Sequence, residues 1–344
     1  MSVQRVVSGT PLDEGEEKLN YSLRPGDFKE FIGHSELIEK IAIAVRAAKS
    51  RKEQAEHMLF HGPPGLGKTS LAHIVANEMG SKICATSGPA LVRAGDLMGI
   101  LTNLQPTDIL FIDEIHRLSP TVEELIYPAM EDFQVDFIVD RGAFAKTIKM
   151  PLRPFTLIGA TTRAGLLSAP LRERFGMHLH VEFYSFDEIR RILARSAGLL
   201  DVGIDDEAID MVAKSSRGTP RVANRLLRRV RDFAQVKADG VVSGEVAAAA
   251  LQMEGIDERG LDKLDRKFLR TIIDYYAGGP VGIEALAATL SEEVDTLVDM
   301  VEPHLLKIGF LQRTRQGRMA GPDAYAHLGV EGGGPADDRQ PTLF

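Results

Sequence analysis

The chain has 344 residues, which suggests two or three domains of about 100–200 residues each. Hydrophobic residues make up 44% of it, enough for a packed core, yet no uninterrupted apolar run is long enough to cross a membrane and no signal-peptide pattern opens it. A net charge of −8 excludes a globally basic nucleic-acid coat but not one local DNA patch, and the single cysteine, Cys84, excludes an internal disulfide and fits a reducing cytoplasm.

Residues 1–20 are polar and acidic, with Asp13, Glu14, Glu16 and Glu17 close together, and read as a loose arm. Leu23-Arg24-Pro25 leads into a helical pattern predicted from Ser35 to about Lys52. Apolar runs follow at 58–60, 82–86, 109–112 and 155–160, separated by helix-like stretches. That alternation predicts an α/β architecture, a parallel sheet covered by helices. Between the third and fourth runs, apolar residues alternate on both sides of Asp140-Arg141-Gly142, from Gln134 to Ile148. This is a hairpin signal, either a longer sheet edge or a docking surface.

The α/β pattern ends near Tyr184. Ser185-Phe186-Asp187-Glu188 then reads as a capping box, and helical periodicity continues to about residue 252. Glu254-Gly255-Ile256-Asp257-Glu258-Arg259-Gly260 reads as a linker. Beyond it, one helix is marked by Leu264, Phe268, Ile272 and Ile273 and a second by Val281–Ala287. Ser291-Glu292-Glu293-Val294 is expected to cap a third helix running to Lys307. A short strand, Phe310–Arg313, a polar turn and Arg318-Met319-Ala320 complete a winged helix. The tail from Glu331 is rich in Gly, Pro and Asp and is expected to be disordered. The boundaries are therefore arm 1–20, ATPase domain 21–184, small all-helical domain 185–255, winged helix 256–330 and tail 331–344.

Gly62-Pro63-Pro64-Gly65-Leu66-Gly67-Lys68-Thr69 fits the phosphate-binding template G-x-x-x-x-G-K-[ST], set between an apolar run and a helix-like run. The loop amides and the positive end of the helix would surround phosphates. Lys68 would reach the β and γ phosphates of ATP, and the Thr69 hydroxyl would hold Mg²⁺. Ile109-Leu110-Phe111-Ile112-Asp113-Glu114 is an apolar strand ending in two acids, where ligands of open parallel sheets sit. Asp113 would support Mg²⁺ and Glu114 would act as general base on the attacking water. Gly159-Ala160-Thr161-Thr162-Arg163 ends the next run, and a threonine there reads equally as a contact to the γ-phosphate or attacking water or as a strand-ending turn. An arginine in Leu171-Arg172-Glu173-Arg174-Phe175-Gly176 reads as a transition-state cation given to a neighbouring subunit, or as a helix-end charge. Arg221, in Gly218-Thr219-Pro220-Arg221, reads as a reporter of phosphate state or as another helix-end charge. From Pro303 to Pro322 there are four basic residues, Lys307, Arg313, Arg315 and Arg318, and no acidic ones. On a wing, Arg313, Arg315 and Arg318 would neutralise DNA phosphates without reading sequence.

These pieces in this order resemble an AAA+ ATPase. Leu23-Arg24-Pro25, His61–Thr69, Phe111–Leu118, Gly159–Gly165 and Arg313–Ala320 narrow the resemblance to the bacterial RuvB family, over about residues 20–328. The resemblance implies a hexameric motor around double-stranded DNA that drives branch migration of Holliday junctions with RuvA, and with RuvC, in recombination and repair. It implies nucleotide contacts at Leu23, Arg24, Gly65, Leu66, Gly67, Lys68, Thr69, Ser70, Glu131, Asp132, Phe133 and Tyr184. It makes Thr162 the strand sensor, Arg174 the trans finger, Arg221 the lid arginine and Arg313 and Arg318 DNA contacts, with RuvA docking at the hairpin. The last five residues, Gln340-Pro341-Thr342-Leu343-Phe344, resemble a sliding-clamp docking peptide, or are simply a polar tail ending in two apolar residues. The rival readings are a replication initiator or clamp loader, a protein unfoldase, and a nucleotide-binding scaffold. The hairpin and wing speak against the first. No aromatic pore loop supports the second. Glu114 and Arg174 together speak against the third.

Overall fold

Five strands build the sheet that positions the nucleotide loop: β1 (Met58–His61), β2 (Ile83–Ser87), β3 (Ile109–Asp113), and the later strands β6 (Thr156–Thr161) and β7 (Met177–His180). Between β3 and β6, β4 (Gln134–Ile138) and β5 (Thr147–Pro151) form a separate antiparallel pair. The structure, a computed structural model, describes residues 22–138 and 147–330. The acidic arm, the Asp140-Arg141-Gly142 turn and the Gln340–Phe344 peptide lie outside the described residues.

The strand order is β2-β3-β6-β1-β7, parallel throughout. The inner strands have apolar residues on both faces because helices cover both: β6 is buried along its whole length and β3 at all but its last residue. Leu59, Leu110, Ile112, Phe155 and Leu157 anchor the core, each at most 1% exposed. Truncating one such side chain to alanine typically costs about 2–5 kcal/mol. The edge strand β7 was not foreseen. Its sequence, Met-His-Leu-His, buries only Leu179, so it carries no apolar run.

The chain divides into two units, one ending at Tyr184 and the other beginning at Ser185. The second unit opens on the expected capping box: the Glu188 amide donates to Ser185 Oγ, and the Ser185 amide donates to the Glu188 carboxylate. Helices Phe186–Leu199, Asp206–Ser215, Pro220–Lys237 and Gly244–Met253 pack together. A winged helix follows, with its own core around Phe268, Ile272, Leu286 and Leu305. Its wing is β8 (Leu311–Thr314) paired with β9 (Gly317–Ala320), and a bridge from Val281 to Arg318 adds a third edge. Gly317 is required there, since a Cβ would meet the Val281 carbonyl oxygen at 2.3 Å.

Two expectations are corrected. Ser291 does not cap the third helix. It sits at φ 57° and ends the preceding Ile283–Leu290 helix, while Glu293 precedes Val294 with no side-chain cap bond. The helix to Lys307 is also discontinuous: a π turn, Leu297–Val301, precedes Glu302–Lys307. Pro303 supplies no amide for a continuous ladder, which accounts for the break. Glu254–Gly260, expected as a linker, lies where the helical section gives way to the winged helix and is hydrogen-bonded along its length. Among the described residues no helix is long and apolar enough to cross a membrane.

Candidate functional site

The parallel sheet brings three strand ends side by side. His61 of β1 pairs with Thr161 of β6, and the Gly62 amide donates to the Thr161 carbonyl at 3.2 Å. On the other side of β6, Ile112 of β3 pairs with Gly159, so Asp113 and Glu114 emerge beside Ala160 and Thr161. Burying β3 and β6 thus carries the two acids to the edge where the loop from β1 turns.

The loop adopts the form that its glycines permit. Gly62, Gly65 and Gly67 have φ of 139°, 79° and 99°. A Cβ at Gly62 would meet the Val181 carbonyl oxygen at 2.2 Å, so only glycine fits. Gly67 opens the Lys68–Met79 helix, and no side chain caps that end. Such an end presents backbone N–H groups and a positive dipole to an anion. Lys68, 7% exposed, donates to the carbonyl oxygens of Gly62 at 2.7 Å and Pro63 at 2.8 Å. Thr69 and Ser70 are half-buried in the first turn. Leu66 is buried, and its carbonyl accepts the Tyr184 hydroxyl at 3.1 Å.

Residues before β1 fold over this helix. Leu23 is buried, Arg24 lies near enough to His73 to help hold its pKa down behind the larger effect of burial, and Asn77 donates to Gly26 O at 2.9 Å. Tyr184 meets the His34 ring edge-on at 4.5 Å, and a Cβ on Gly67 would face Phe31 and Tyr184. Phe31 and His34 were not singled out in the sequence, because neither falls within a motif.

Asp113 accepts the Glu114 amide at 2.9 Å. Glu114 holds φ 49°, in the left-handed region that non-glycine residues seldom enter. Gly88 makes room for it: a Cβ there would meet the Glu114 carbonyl oxygen at 2.4 Å. His116 was also not singled out. Its Nε2 lies 3.4 Å from the Glu114 carboxylate and its Nδ1 lies 2.9 Å from Thr161 Oγ1, with only 7% of its side chain exposed. The general-base candidate is thereby tied to the end of β6. Thr162, half-buried, follows at once. Beside the loop, His61 stacks on His180 at 4.8 Å. Burial first, then His180, His178 and Lys68, holds its pKa below the ordinary value, which keeps added positive charge away from the loop.

Arg174 joins a different group. Its guanidinium lies 3.1 Å from the Glu131 carboxylate, donates to Pro170 O at 2.8 Å and stacks 4.4 Å above the Tyr127 ring. Asp132 is exposed and Phe133 half-buried next to it. The structure therefore brings Arg174 together with Glu131, while Phe133 packs on His57 and Phe155. In the second unit, Arg221 lies in the first turn of the Pro220–Lys237 helix. On the wing, Arg315 is exposed. Arg313 and Arg318 are not independent cations. Both guanidiniums converge on Glu302, which is 0% exposed: Arg313 Nε donates at 2.8 Å and Arg318 Nε at 2.7 Å. Glu302 stands one residue outside the acid-free stretch at 303–322, which is why that count overstated the wing's charge.

Known proteins share this arrangement. The Holliday junction DNA helicase RuvB P-loop domain matches residues 23–181, the RuvB AAA lid domain 184–257, and the RuvB C-terminal winged helix domain 258–329. A Holliday junction branch migration complex subunit RuvB from Desulfosudis oleivorans is 57% identical over 311 residues, 90% of this chain and 91% of that protein. The Thermotoga maritima RuvB Holliday junction branch migration motor is 51% identical, with a TM-score of 0.83 over 91% of this chain and 100% of that one. An arginine-to-alanine variant of the Thermotoga protein gives the same TM-score over 90% of this chain and 99% of that one, also at 51% identity. Three family domains in sequence, a close relative along nearly its whole length and the shared fold together establish that the chain belongs to the RuvB family.

Proposed function

We propose that this chain is an ATPase that drives branch migration of Holliday junctions, working with RuvA. The observation that carries the reading is the convergence of Lys68, Asp113, Glu114 and Thr161 at one sheet edge, in a chain that also bears an arginine wing. A tight glycine loop, an uncapped helix end and a buried lysine are the fittings of a triphosphate site. Lys68 and the loop amides hold the phosphates of ATP, and Leu23, Arg24 and Tyr184 flank the rest of the nucleotide. Thr69 and Asp113 would hold Mg²⁺, whose chemistry is to neutralise phosphate charge.

Glu114 takes a proton from water as the water oxygen bonds to the γ-phosphorus. The bond from that phosphorus to the β–γ bridging oxygen breaks, releasing ADP and phosphate. His116 and Thr161 orient Glu114, and Thr162 contacts the γ-phosphate or the water. Arg174 of a neighbouring subunit supplies charge in the transition state, with Glu131-Asp132-Phe133 on the same face. Arg221 links the lid to phosphate state.

The ring is a homohexamer on double-stranded DNA, with RuvC joining RuvA at the junction. Its domains run 21–184, 185–255 and 256–330. The β4–β5 hairpin is the RuvA dock, and the Gln340–Phe344 peptide is a clamp contact. A DNA substrate puts its work in the cytoplasm, at the nucleoid during repair.

The test is steady-state ATP hydrolysis on a synthetic four-way junction, with and without RuvA, while strand separation is followed. ATP-dependent dissociation with RuvA supports the motor. Hydrolysis without junction movement would favour the initiator reading. Glu114→Gln should bind ATP while turnover falls on the order of 10²–10⁴-fold.

A further inference from the structure

The segment between lid and wing carries glycines and charges like a flexible joint, yet it is bonded along its length. Arg266 donates to Gly255 O at 2.8 Å, to Leu261 O at 2.7 Å and to the Asp257 carboxylate at 3.2 Å. His327 Nε2 lies 3.0 Å from the same carboxylate, and His304 Nε2 lies 3.0 Å from Arg259 O. Gly260 sits so close to the lid that a Cβ would meet Ser215 O at 3.0 Å.

Arg217 closes this joint from the lid side. It immediately precedes Gly218-Thr219-Pro220-Arg221 and holds φ 62°. Its side chain, 4% exposed, donates to Gly260 O at 2.9 Å and to the carboxylate of Asp265, which is fully buried. The same Asp265 oxygen accepts the Asp262 amide at 2.9 Å, so it also closes the capping box that starts the Lys263–Arg270 helix. From the winged helix, Lys307 donates to the Arg217 carbonyl at 3.4 Å. Both the backbone and the side chain of Arg217 are therefore gripped by the DNA-binding section, three residues before the helix turn that carries Arg221.

A buried ion pair is a poor device for stability alone, because desolvation offsets much of its attraction. Its planar fork does fix one geometry, which an apolar contact that can slide does not. We propose that Arg217, clamped by Asp265, is a positioning residue that makes lid and winged helix one body, so that displacement at Arg221 reaches Arg313 and Arg318 undiminished. The proposal rests on reading Arg221 as the lid arginine and the wing as the DNA contact.

Two measurements test it on the full chain assembled with RuvA and junction DNA. In the first, Asp265→Asn and Arg217→Lys are compared with the parent for ATP turnover, duplex binding and junction movement per ATP consumed. Turnover and binding should stay within about threefold, while movement per ATP falls roughly tenfold. Unchanged movement per ATP in a folded Asp265→Asn chain overturns the proposal, as does a parallel loss of turnover and movement.

The second measurement does not depend on either variant folding. Val236 of the lid and Tyr275 of the winged helix are 78% and 77% exposed, so spin labels at Val236→Cys and Tyr275→Cys, in a Cys84→Ser background, report the lid–wing distance. The rings are diluted with unlabelled chain and loaded with ADP or a non-hydrolysable ATP analogue. One narrow distance, equal in both states, is expected. A distance that changes with nucleotide refutes the rigid body. Failure of the Arg221 reading would look different: Arg221→Ala would leave turnover unchanged while the distance stayed narrow.

Discussion

The nucleotide loop and the DNA wing both hold cations on internal acceptors, but of different kinds. Lys68 leans on two neutral carbonyls of its own loop, Gly62 and Pro63, whereas Arg313 and Arg318 share one buried carboxylate, Glu302. A phosphate oxygen is a far stronger acceptor than a carbonyl, so on the proposed reading an arriving triphosphate would take over the lysine. At the wing, two positive charges and one negative leave a net +1 in the cluster, already fixed in position. The first arrangement suits tight capture of one ligand. The second suits a weak grip that a moving duplex can renew at each phosphate.

The sharpest break in this comparison is on the core side, where one cation is not spent on the chain's own loop. Arg174→Ala should lower turnover of the assembled ring by about 10³-fold or more, since a trans arginine is worth 10³–10⁵. ATP binding by the isolated chain should be unchanged, because Arg174 is engaged with Glu131, Pro170 and Tyr127 rather than with the loop. Fluorescent-nucleotide titration beside steady-state hydrolysis checks both halves. Full turnover in the variant would remove Arg174 from the reaction.

Local chemistry made the core readable in the sequence. Apolar strands buried on two faces leave runs such as Ile109–Ile112, and a phosphate loop needs glycine where φ is positive, as at Gly62 and Gly67. What stayed hidden depends on contacts between distant residues. His116 meets Thr161 across 45 residues only because β3 lies beside β6. Glu302 resembles any helix acid until the fold buries it under two arginines. The edge strand β7 shows exposed histidines rather than an apolar run. Glu254–Gly260 has the composition of a linker, and only its partners at Arg217, Arg266, His304 and His327 reveal a fixed joint. Ser291-Glu292-Glu293 matches a helix start, but the left-handed Ser291 ends the helix before it.

On the wing side, Glu302→Gln removes the shared carboxylate and raises the cluster from +1 to +2. The slope of log affinity for duplex DNA against log salt should steepen by about 0.9, one further counterion released. Arg313 is half-exposed, so the stability lost should be modest, of order 1–3 kcal/mol, seen as a lower Tm. ATP turnover without DNA should not move. An unchanged salt slope would show that the two arginines do not face the duplex.

The smallest effect near neutral pH separates the two units by their histidines. His304 is pushed down to about 3, first by burial and then by Arg217, with Lys307 adding to the effect against the Arg259 carbonyl and Asp257. Its Nε2 faces that carbonyl, and its Nδ1 has no hydrogen-bond partner among the described residues, so a second proton would be buried unsatisfied. The folded value lies below the unfolded value of 6.5, so the unfolded chain takes up the proton first. Stability is therefore fully present above about 6.5 and falls by about 1.4 kcal/mol per pH unit below it, down to about 3. In the core, His57 is also held down by burial, but its Nε2 lies 3.1 Å from Met130 O and its Nδ1 accepts the Leu157 amide at 2.8 Å, which fixes one neutral tautomer with both nitrogens satisfied. Both units should thus lose stability in acid, and replacing His304 should remove only the wing's share. His304→Gln keeps a donor for the Arg259 carbonyl without a titrating ring. Thermal unfolding at pH 7.5 and 5.5 should show a smaller acid shift for this variant, confined to the transition followed by a probe at Tyr275. An equal shift in parent and variant would assign the acid sensitivity to the core.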